Sequence, residues 1–213
     1  MFFSWDELTV ITGGEWRGRM PEGSQGVSNV TDDSRGNLKE ALFVALKGNL
    51  TDGHRFVKTA LENGAEAVCV QSEKRDAIPE KVPALLVDDT FRAYHAIAAS
   101  HRRRFARTPV VAVTGSCGKT STRAILAAMC RSKWGADVLE SKKNTNNFFG
   151  VPRNLFRLGP NHKVALVEIG TNHPGEVRRL ARMTGADVGI VTSIGKAHLE
   201  FFGDVKAVAR AKG

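Results

Sequence analysis

The chain has 213 residues, of which 42% are hydrophobic and 25% charged, and its formal net charge is +9. This length accommodates one large or two modest domains, and the composition is typical of a globular protein. No apolar run reaches membrane-spanning length and the first seven residues lack a basic start before an apolar stretch, so we expect a cytoplasmic protein with no membrane partner. Three cysteines at unrelated spacings argue against a disulfide framework and against a zinc site.

The excess of positive charge favours acidic ligands, of which nucleic acid is one class. However, the basic residues are dispersed except at Arg102-Arg103-Arg104 and Arg107, and no aromatic and basic recognition motif accompanies them. A nucleotide or nucleotide sugar explains the charge equally well, and a solvated helix end explains the arginine run. We therefore expect no nucleic acid partner.

The first hundred residues predict a small α/β unit. Ser4 and Glu7 have the spacing of a capping box, which predicts a helix through Ile11. Thr90 is the expected cap of the last helix of this part, which continues to about Arg104. The other elements are short apolar runs or helical patterns, expected at 26–35 (a strand ending in a polar turn), 41–46 (strand), 54–63 (helix), 65–70 and 84–87 (strands).

From Val110 onward strands and helices alternate, which predicts a parallel sheet with helices on its faces. Strands are expected at 110–113, 137–140, 164–167 and 188–192. Ligands of such sheets bind at the carboxyl ends of the strands, so the residues after each strand form the candidate site. The basic segment 102–108 before Pro109 is the expected hinge, and we predict domains over 1–106 and 107–213.

A candidate phosphate-binding loop follows the strand at 110–113. Small residues make a tight turn, and Lys119 and Thr120 open a helix, where Lys119 would reach the outer phosphates and the Thr120 hydroxyl would hold Mg²⁺. The general pattern has glycine where this chain has Val113, and a glycine turn with no ligand is the alternative. We expect ATP and Mg²⁺ as cofactors, with ATP bound by Thr114, Gly115, Ser116, Cys117, Gly118, Lys119, Thr120 and Ser121.

Polar side chains also follow the other three strands. Glu168 ends the strand beside that of the phosphate loop, where a carboxylate is well placed to hold Mg²⁺; a surface charge is the alternative. Glu176 is expected to begin the next helix, and His198 follows the strand at 188–192. The strand at 137–140 is followed by amides and a hydroxyl that suit a sugar phosphate or peptide, or an Asx turn, at Asn144, Thr145, Asn146 and Asn147.

Several motifs resemble those of the Mur ligases, the ATP-dependent amide-forming enzymes of peptidoglycan synthesis. T-G-S-x-G-K-T-S resembles their phosphate loop, and N-x-N-N-x-x-G-V-P, E-I-G-x-N-x-x-G-E-V and A-H-L-E-x-F-G follow at 144–152, 168–177 and 197–203. In the first hundred residues, four segments that follow one another along the chain resemble the UDP-binding domain of the family. They are 33–35, 42–48, 52–56 and 63–65. The resemblance implies a small N-terminal α/β UDP-sugar-binding domain followed by an incomplete P-loop parallel-sheet ATPase domain.

The resemblance also implies roles for individual residues. His198 is implied to help bind a second metal ion, and Lys212 is implied to be carbamylated into a metal ligand, although a plain surface lysine is the alternative. The implied catalytic residues are Lys119, Glu168, His198 and Lys212, and the implied metal ligands are Thr120, Glu168, His198 and Lys212. Beside 144–147, substrate contacts are implied for Asp33, Ser34, Arg35, Lys47, Gly48, Asp52 and His54, with an Asp33–Arg35 pair on a turn as the alternative.

Within the family, the motifs most resemble the member that joins D-alanyl-D-alanine to UDP-N-acetylmuramoyl-tripeptide through an acyl phosphate. This implies a monomeric cytoplasmic bacterial ligase. The alternatives are the preceding ligase, which adds the third amino acid, and a non-catalytic fragment that binds UDP-sugar and ATP. Mur ligases continue past the Lys212 element with more of the ATP-binding domain and a C-terminal domain, so we expect little or no turnover from this chain alone.

Overall fold

A computed structural model describes residues 2–48, 51–171, 173–196 and 199–213. Residue contacts divide the chain into two compact units, 1–97 and 98–213. This division falls upstream of the hinge predicted at 102–108, and the domain limits 1–106 and 107–213 stay a prediction. None of the helices in the described ranges is long and apolar enough to cross a membrane.

In its described residues the first unit contains seven strands, two complete helices and the first part of a third. Two short 3₁₀ turns also occur, at Gly53–Phe56 and Ser72–Ala77. The strands are β1 Phe3–Ser4, β2 Glu15–Arg17, β3 Gly26–Val27, β4 Asn29–Thr31, β5 Ala41–Val44, β6 Ala67–Gln71 and β7 Ala84–Val87. The helices are α1 Trp5–Thr12, α2 Val57–Glu62 and α3 Thr90–Arg104, whose last part belongs to the second unit.

A five-stranded sheet of order β2-β7-β6-β5-β4 forms the core of the first unit. β2 is antiparallel to β7, and the other three pairings are parallel. Neighbouring residues of β5, such as Leu42 (0% exposed) and Phe43 (1% exposed), are both buried, so both faces of the central strands are covered. Continuous apolar runs such as 41–44 are typical of parallel strands for this reason.

The helix starts agree only in part with the sequence predictions. Ser4 caps α1 as predicted, because its Oγ accepts a hydrogen bond from the backbone N–H of Glu7 at 3.1 Å. Thr90 was predicted as the cap of α3, and this is wrong: the Asp89 carboxylate accepts from the backbone N–H groups of Phe91 (2.7 Å) and Arg92 (3.1 Å). A carboxylate one residue earlier reaches these two N–H groups, which leaves Thr90 as a buried first helical residue.

Two further elements of the first unit differ from the expected boundaries. The strand predicted at 26–35 is two short strands, β3 and β4, separated by Ser28. The helix predicted at 54–63 begins as a 3₁₀ turn, and only 57–62 is α-helical. The turn begins at the Asp52 side chain, which accepts from the backbone N–H of His54 at 3.0 Å.

The second unit is built on four parallel strands. These strands are β8 Val110–Thr114, β9 Val138–Glu140, β10 Val164–Glu168 and β11 Val188–Val191, in the order β11-β8-β10-β9. The helices are α4 Lys119–Trp134, α5 Gly150–Leu155, α6 Glu176–Thr184, α7 Leu199–Phe202 and α8 Val205–Lys212. One cluster joins Ala127 of α4 to β9 and β10, and another joins α5 and α6 to β8 and β10. The predicted α/β class is confirmed.

The arginine run at the end of α3 is not simply a solvated helix end, and that expectation is wrong for Arg102. Its side chain is buried, and its Nε donates to the carbonyl of Thr184 at 2.9 Å. Its Nη2 lies 3.4 Å from the Asp187 carboxylate, which also accepts from the backbone N–H of Val110 at 2.8 Å. Arg102 therefore ties the end of α3 to the starts of β8 and β11, whereas Arg103 and Arg104 are exposed.

Candidate active site

The turn between β8 and α4 has the backbone of a phosphate-binding loop. Gly115 and Gly118 adopt positive φ angles of 146° and 84°, which favour glycine. Gly118 is the N-cap of α4 and offers no side chain to the first helical N–H groups. Lys119 crosses the turn, since its Nζ donates to the carbonyl of Gly115 at 2.8 Å. The start of a 16-residue helix and an ammonium group therefore lie at one turn, as anion binding requires.

Glu168 lies beside this turn because of strand register. β10 runs parallel to β8 with Glu168 opposite Val113, so its carboxylate emerges at the edge where the phosphate loop begins. The Thr120 Oγ1 donates to Glu168 Oε2 at 3.0 Å, and the Asn146 Nδ2 donates to Glu168 Oε1 at 2.8 Å. Glu168 is 6% exposed, so both oxygens are held in place within the protein.

Arg123, one turn into α4, is a buried partner of this carboxylate that the sequence analysis missed. Its Nε lies 3.7 Å from Glu168 Oε2, and its Nη2 lies 3.5 Å from Glu140 Oε1. Its Nη1 donates to the carbonyl of Ser141. The available signal in the sequence was that Arg123 lies four residues after Lys119. This signal was not sufficient, because an arginine in a helix does not by itself indicate burial.

The residues present can hold Mg²⁺. No three histidine, cysteine or carboxylate side chains cluster in the described ranges, and the candidate donors are instead the Glu168 carboxylate and the Thr120 hydroxyl. Magnesium in phosphate-binding sites is commonly bound by one or two carboxylates with substrate oxygens and water, and a hydroxyl is a suitable further ligand. The donor chemistry therefore fits the ion.

Lys212 lies near the phosphate loop at the end of α8. Its side chain is buried, with 6% exposed, and burial lowers its pKa, as does the positive charge of Lys119 to a smaller extent. Lys119, Thr120, Glu168 and Lys212 thus share one region of the second unit. His198, the remaining predicted metal ligand, lies outside the described residues.

The amide-rich loop after β9 contacts the protein itself at several predicted substrate positions. Asn146 contacts Glu168, and the Asn147 carboxamide accepts from the backbone N–H groups of Phe149 (3.1 Å) and Gly150 (2.9 Å). Asn144 has a positive φ of 60° and is exposed. The Thr145 hydroxyl donates to the Lys142 carbonyl at 2.5 Å. The loop therefore forms the Asx turn at Asn147, and through Asn146 it also contacts the candidate metal ligand Glu168.

Asn154 organises this loop and was missed by the sequence analysis. It is 1% exposed, and its Oδ1 accepts from the backbone N–H of Lys142 at 3.1 Å. Its Nδ2 donates to the carbonyl and the hydroxyl of Thr145, both at 2.9 Å. The G-V-P-R-N-L segment has helical character, and nothing in it marks this asparagine as the support of a loop nine residues earlier.

The predicted substrate residues of the first unit also contact each other. The Arg35 guanidinium donates to both Asp33 carboxylate oxygens at 2.8 Å, as the pairing alternative predicts. Ser34 is buried, and its carbonyl accepts from Asn63 Nδ2 at 2.8 Å. The Gly48 N–H donates to the Thr51 carbonyl at 2.8 Å. These contacts fix the backbone at 33–35 and at Gly48.

The side chains of His54 and Asp52 contact each other in the first unit. His54 Nδ1 lies 2.6 Å from Asp52 Oδ1, and His54 Nε2 accepts from the backbone N–H of Gln71 at 3.1 Å. Burial alone would raise the pKa of Asp52, but hydrogen bonds from the His54 side chain and backbone outweigh it and lower that pKa. Lys47 bridges to Asp52 through an isolated β-bridge. Both His54 nitrogens have partners inside the protein, and they join the turn at 52–56 to β6.

Comparisons with known proteins give a consistent result for both units. The Mur ligase middle-domain model matches residues 113–213, and the model of the Mur ligase family, catalytic domain, matches residues 26–102. The UDP-N-acetylmuramoyl-tripeptide–D-alanyl-D-alanine ligase of Synechocystis sp. is 39% identical over 186 residues, which is 87% of this chain and 40% of the relative. The ligase of the same name from Escherichia coli is 38% identical over 207 residues, which is 97% of this chain and 43% of the relative.

Solved structures agree with the sequence relatives. A crystal structure of MurF from Acinetobacter baumannii matches with a TM-score of 0.89 at 32% identity, covering 100% of this chain and 45% of that one. MurF ligase from Thermotoga maritima, solved in complex with ADP, matches with a TM-score of 0.77 at 29% identity over 86% of this chain and 42% of that one. The chain thus spans less than half the length of these relatives, and it belongs to the Mur ligase family.

Proposed function

We propose that this chain provides UDP-substrate binding and ATP binding to a ligase that joins D-alanyl-D-alanine to UDP-N-acetylmuramoyl-tripeptide. The observation that carries the proposal is the contact of Thr120 with Glu168 at 3.0 Å beside the Lys119 turn, within a chain whose relatives are named for this reaction. The substrates of peptidoglycan precursor synthesis are acidic nucleotide sugars, which agrees with the charge of +9. We further propose a monomeric protein of the bacterial cytoplasm.

ATP would bind with its phosphates at residues 114–121. The backbone N–H groups of the turn and the start of α4 would contact the phosphates, and Lys119 would exchange its hydrogen bond to the Gly115 carbonyl for the outer phosphates. The ADP complex of the Thermotoga maritima relative supports a nucleotide as the ligand. Mg²⁺ would be held by Glu168 and Thr120, with His198 and Lys212 as further candidates, and would neutralise phosphate charge.

The chemical step needs charge neutralisation, because a carboxylate must approach the γ-phosphate. The terminal carboxylate of the tripeptide attacks the γ-phosphorus, the bond to the ADP oxygen breaks, and an acyl phosphate forms. The amine of D-alanyl-D-alanine then attacks the acyl carbon, loses a proton and displaces phosphate. Lys119, whose Nζ lies at the turn of the phosphate loop, would offset the charge that collects on the phosphoryl oxygens.

Lys212 would become a metal ligand only after modification. A carbamate forms from a neutral amine and carbon dioxide, and burial of Lys212 beside Lys119 lowers its pKa and so favours the neutral amine. The product is an anion next to Lys119 and in the same region as Glu168. This environment supports the proposal that Lys212 is carbamylated.

The UDP-sugar end of the substrate would bind the first unit. The candidate contacts remain Asp33, Ser34, Arg35, Lys47, Gly48, Asp52 and His54. Of these, Arg35 has 86% of its side chain exposed, and its bidentate partner Asp33 presents the guanidinium in a fixed orientation. A guanidinium suits a diphosphate. The candidate contacts of the peptide end remain Asn144, Thr145, Asn146 and Asn147.

The test is a thermal shift and calorimetric titration of this chain with UDP, UDP-N-acetylmuramoyl-dipeptide, UDP-N-acetylmuramoyl-tripeptide and Mg-ATP, each added separately. Stabilisation by the UDP-sugars that is strongest for the tripeptide supports the proposed step. Stronger binding of the dipeptide would instead favour the ligase that adds the third amino acid. No response to any UDP-sugar would contradict the proposed substrate.

A further inference from the structure

A loop after β11, here called the clasp loop (residues 192–195), contacts the phosphate loop along most of its length. β11 pairs with β8 in parallel with Val191 opposite Thr114, so the residue after each strand lies beside the other. The backbone N–H of Thr192 donates to the Thr114 carbonyl at 2.9 Å, which extends the ladder by one residue. From the sequence, Thr192 is the predicted end of the strand at 188–192, and no part in the site is predicted for 192–195.

Side-chain hydroxyls supply most of the contacts beyond the ladder. The Thr192 Oγ1 lies 2.5 Å from the Cys117 carbonyl and 3.1 Å from the Thr114 carbonyl, both of which can accept its proton. The Ser193 Oγ lies 3.0 Å from both the carbonyl and the backbone nitrogen of Cys117, so it can donate to the first and accept from the second. Two neighbouring hydroxyls thus hold the carbonyl at the centre of the turn.

The backbone and the side chain of Ser116 also join the phosphate loop to the clasp loop. The Ser116 N–H donates to the Ser193 carbonyl at 2.9 Å, and the Ser116 hydroxyl accepts from the Gly195 N–H at 3.0 Å. Ser116, predicted to bind ATP, is thus directed to the clasp loop by its side chain. At Ser116 the phosphate loop therefore offers a ligand its backbone rather than its side chain.

Gly115 fits Thr192 sterically. A Cβ at position 115 would lie 2.0 Å from the Thr192 Oγ1, closer than any real contact of such atoms, and the φ of Gly115 is 146°. Glycine at 115 is thus required by the approach of Thr192 as well as by any phosphate. Positions 115 and 192 are therefore packed against each other, and the residue at one limits the residue at the other.

We propose that Thr192 and Ser193 are positioning residues that hold the phosphate loop in its nucleotide-binding conformation. The inference rests on the proposed ATP site and adds two residues to it. A glycine-containing turn loses conformational freedom when it orders around a ligand, and a loop that is already fixed by neighbouring hydroxyls avoids that loss. Removing the hydroxyls should therefore weaken nucleotide binding through the phosphate loop, to which both hydroxyls are hydrogen-bonded.

The test compares Thr192→Val, Thr192→Ser and Ser193→Ala in this chain, with Mg-ADP affinity measured by calorimetry. Thr192→Val should weaken binding by roughly threefold to tenfold, the effect of one net hydrogen bond, and Thr192→Ser should restore it. The matched control is Thr108→Val, which removes a hydroxyl that donates to the His162 carbonyl at 3.2 Å just before β8 begins, away from the phosphate loop. It should lower the melting temperature and leave Mg-ADP affinity unchanged. Equal affinity of Thr192→Val and the parent chain would overturn the inference.

A second measurement keeps the inference separate from the proposed ATP binding. Amide hydrogen exchange of Ser116 and Cys117, without nucleotide, should be faster in Thr192→Val and Ser193→Ala than in the parent, and unchanged in Thr108→Val. If the parent itself binds no Mg-ADP, the proposed function is contradicted, and the exchange rates still decide whether the hydroxyls fix the loop. Unchanged exchange at both amides in both variants would contradict the inference that the two hydroxyls fix the phosphate loop.

Discussion

Thr120 and Glu168 meet across two neighbouring parallel strands, with the threonine Oγ1 donating to the Glu168 Oε2 at 3.0 Å. One side chain starts the helix after β8 and the other ends β10, so strand pairing alone brings them to one edge. The contact brings together a hydroxyl and a carboxylate oxygen, the two donors proposed to hold Mg²⁺. This pair is the part of the site that the chain fixes without any ligand.

Glu168→Gln should remove most of the effect of Mg²⁺ on ATP affinity. The amide keeps the shape and a hydrogen-bond acceptor but loses the charge, so we expect a drop in Mg-ATP affinity of roughly tenfold or more. Calorimetry with and without Mg²⁺ measures it. The control is Glu140→Gln, which also neutralises a partner of Arg123 but lies away from Thr120. Equal losses in the two variants would mean that the Arg123 network, rather than a metal ligand, is responsible.

Asn154→Ala should destabilise the second unit. The substitution leaves the Lys142 N–H and the Thr145 carbonyl without their buried partner, which costs about 1–3 kcal/mol in free energy of unfolding. Urea denaturation measures this loss. Asn161→Ala, at an exposed position, is the control and should change stability by less than about 0.5 kcal/mol. Similar stability of the two variants would show that Asn154 does not hold the loop.

Asp52→Asn should reduce the loss of stability in acid. The folded pKa of Asp52 lies below its ordinary value of 3.8, so its contribution is fully present above that value and is lost as the pH falls through the lower folded pKa. Melting temperatures of the parent and variant between pH 7 and pH 2 measure the difference. We expect the variant to be less stable at neutral pH and the two curves to converge once the pH falls below the lowered folded pKa of Asp52. Parallel curves over the whole range would exclude Asp52 as a source of the acid sensitivity.

Local patterns predicted the four strands of the second unit and the sequence of the phosphate loop, because both depend on short runs of the chain. The buried runs at 110–114 and 164–168 and the glycine at 118 are local signals, and the rule that ligands lie at strand carboxyl ends pointed to Glu168. The positions of Arg102, Asn154 and Thr192 depend on partners 9 to 85 residues away, which no local pattern encodes. The cap of α3 was missed because Asp89 and Thr90 both suit a cap, and only the backbone geometry decides between them.

The most direct test of the ATP-dependent ligase assignment is calorimetric binding of Mg-ATP and of UDP-N-acetylmuramoyl-tripeptide to this chain and to Lys119→Ala. Lys163→Ala, which removes an exposed lysine of the same unit, is the control. The account predicts that Lys119→Ala loses Mg-ATP binding while keeping tripeptide binding, and that Lys163→Ala keeps both. Equal Mg-ATP affinity of Lys119→Ala and the parent chain would contradict the phosphate site on which the account rests.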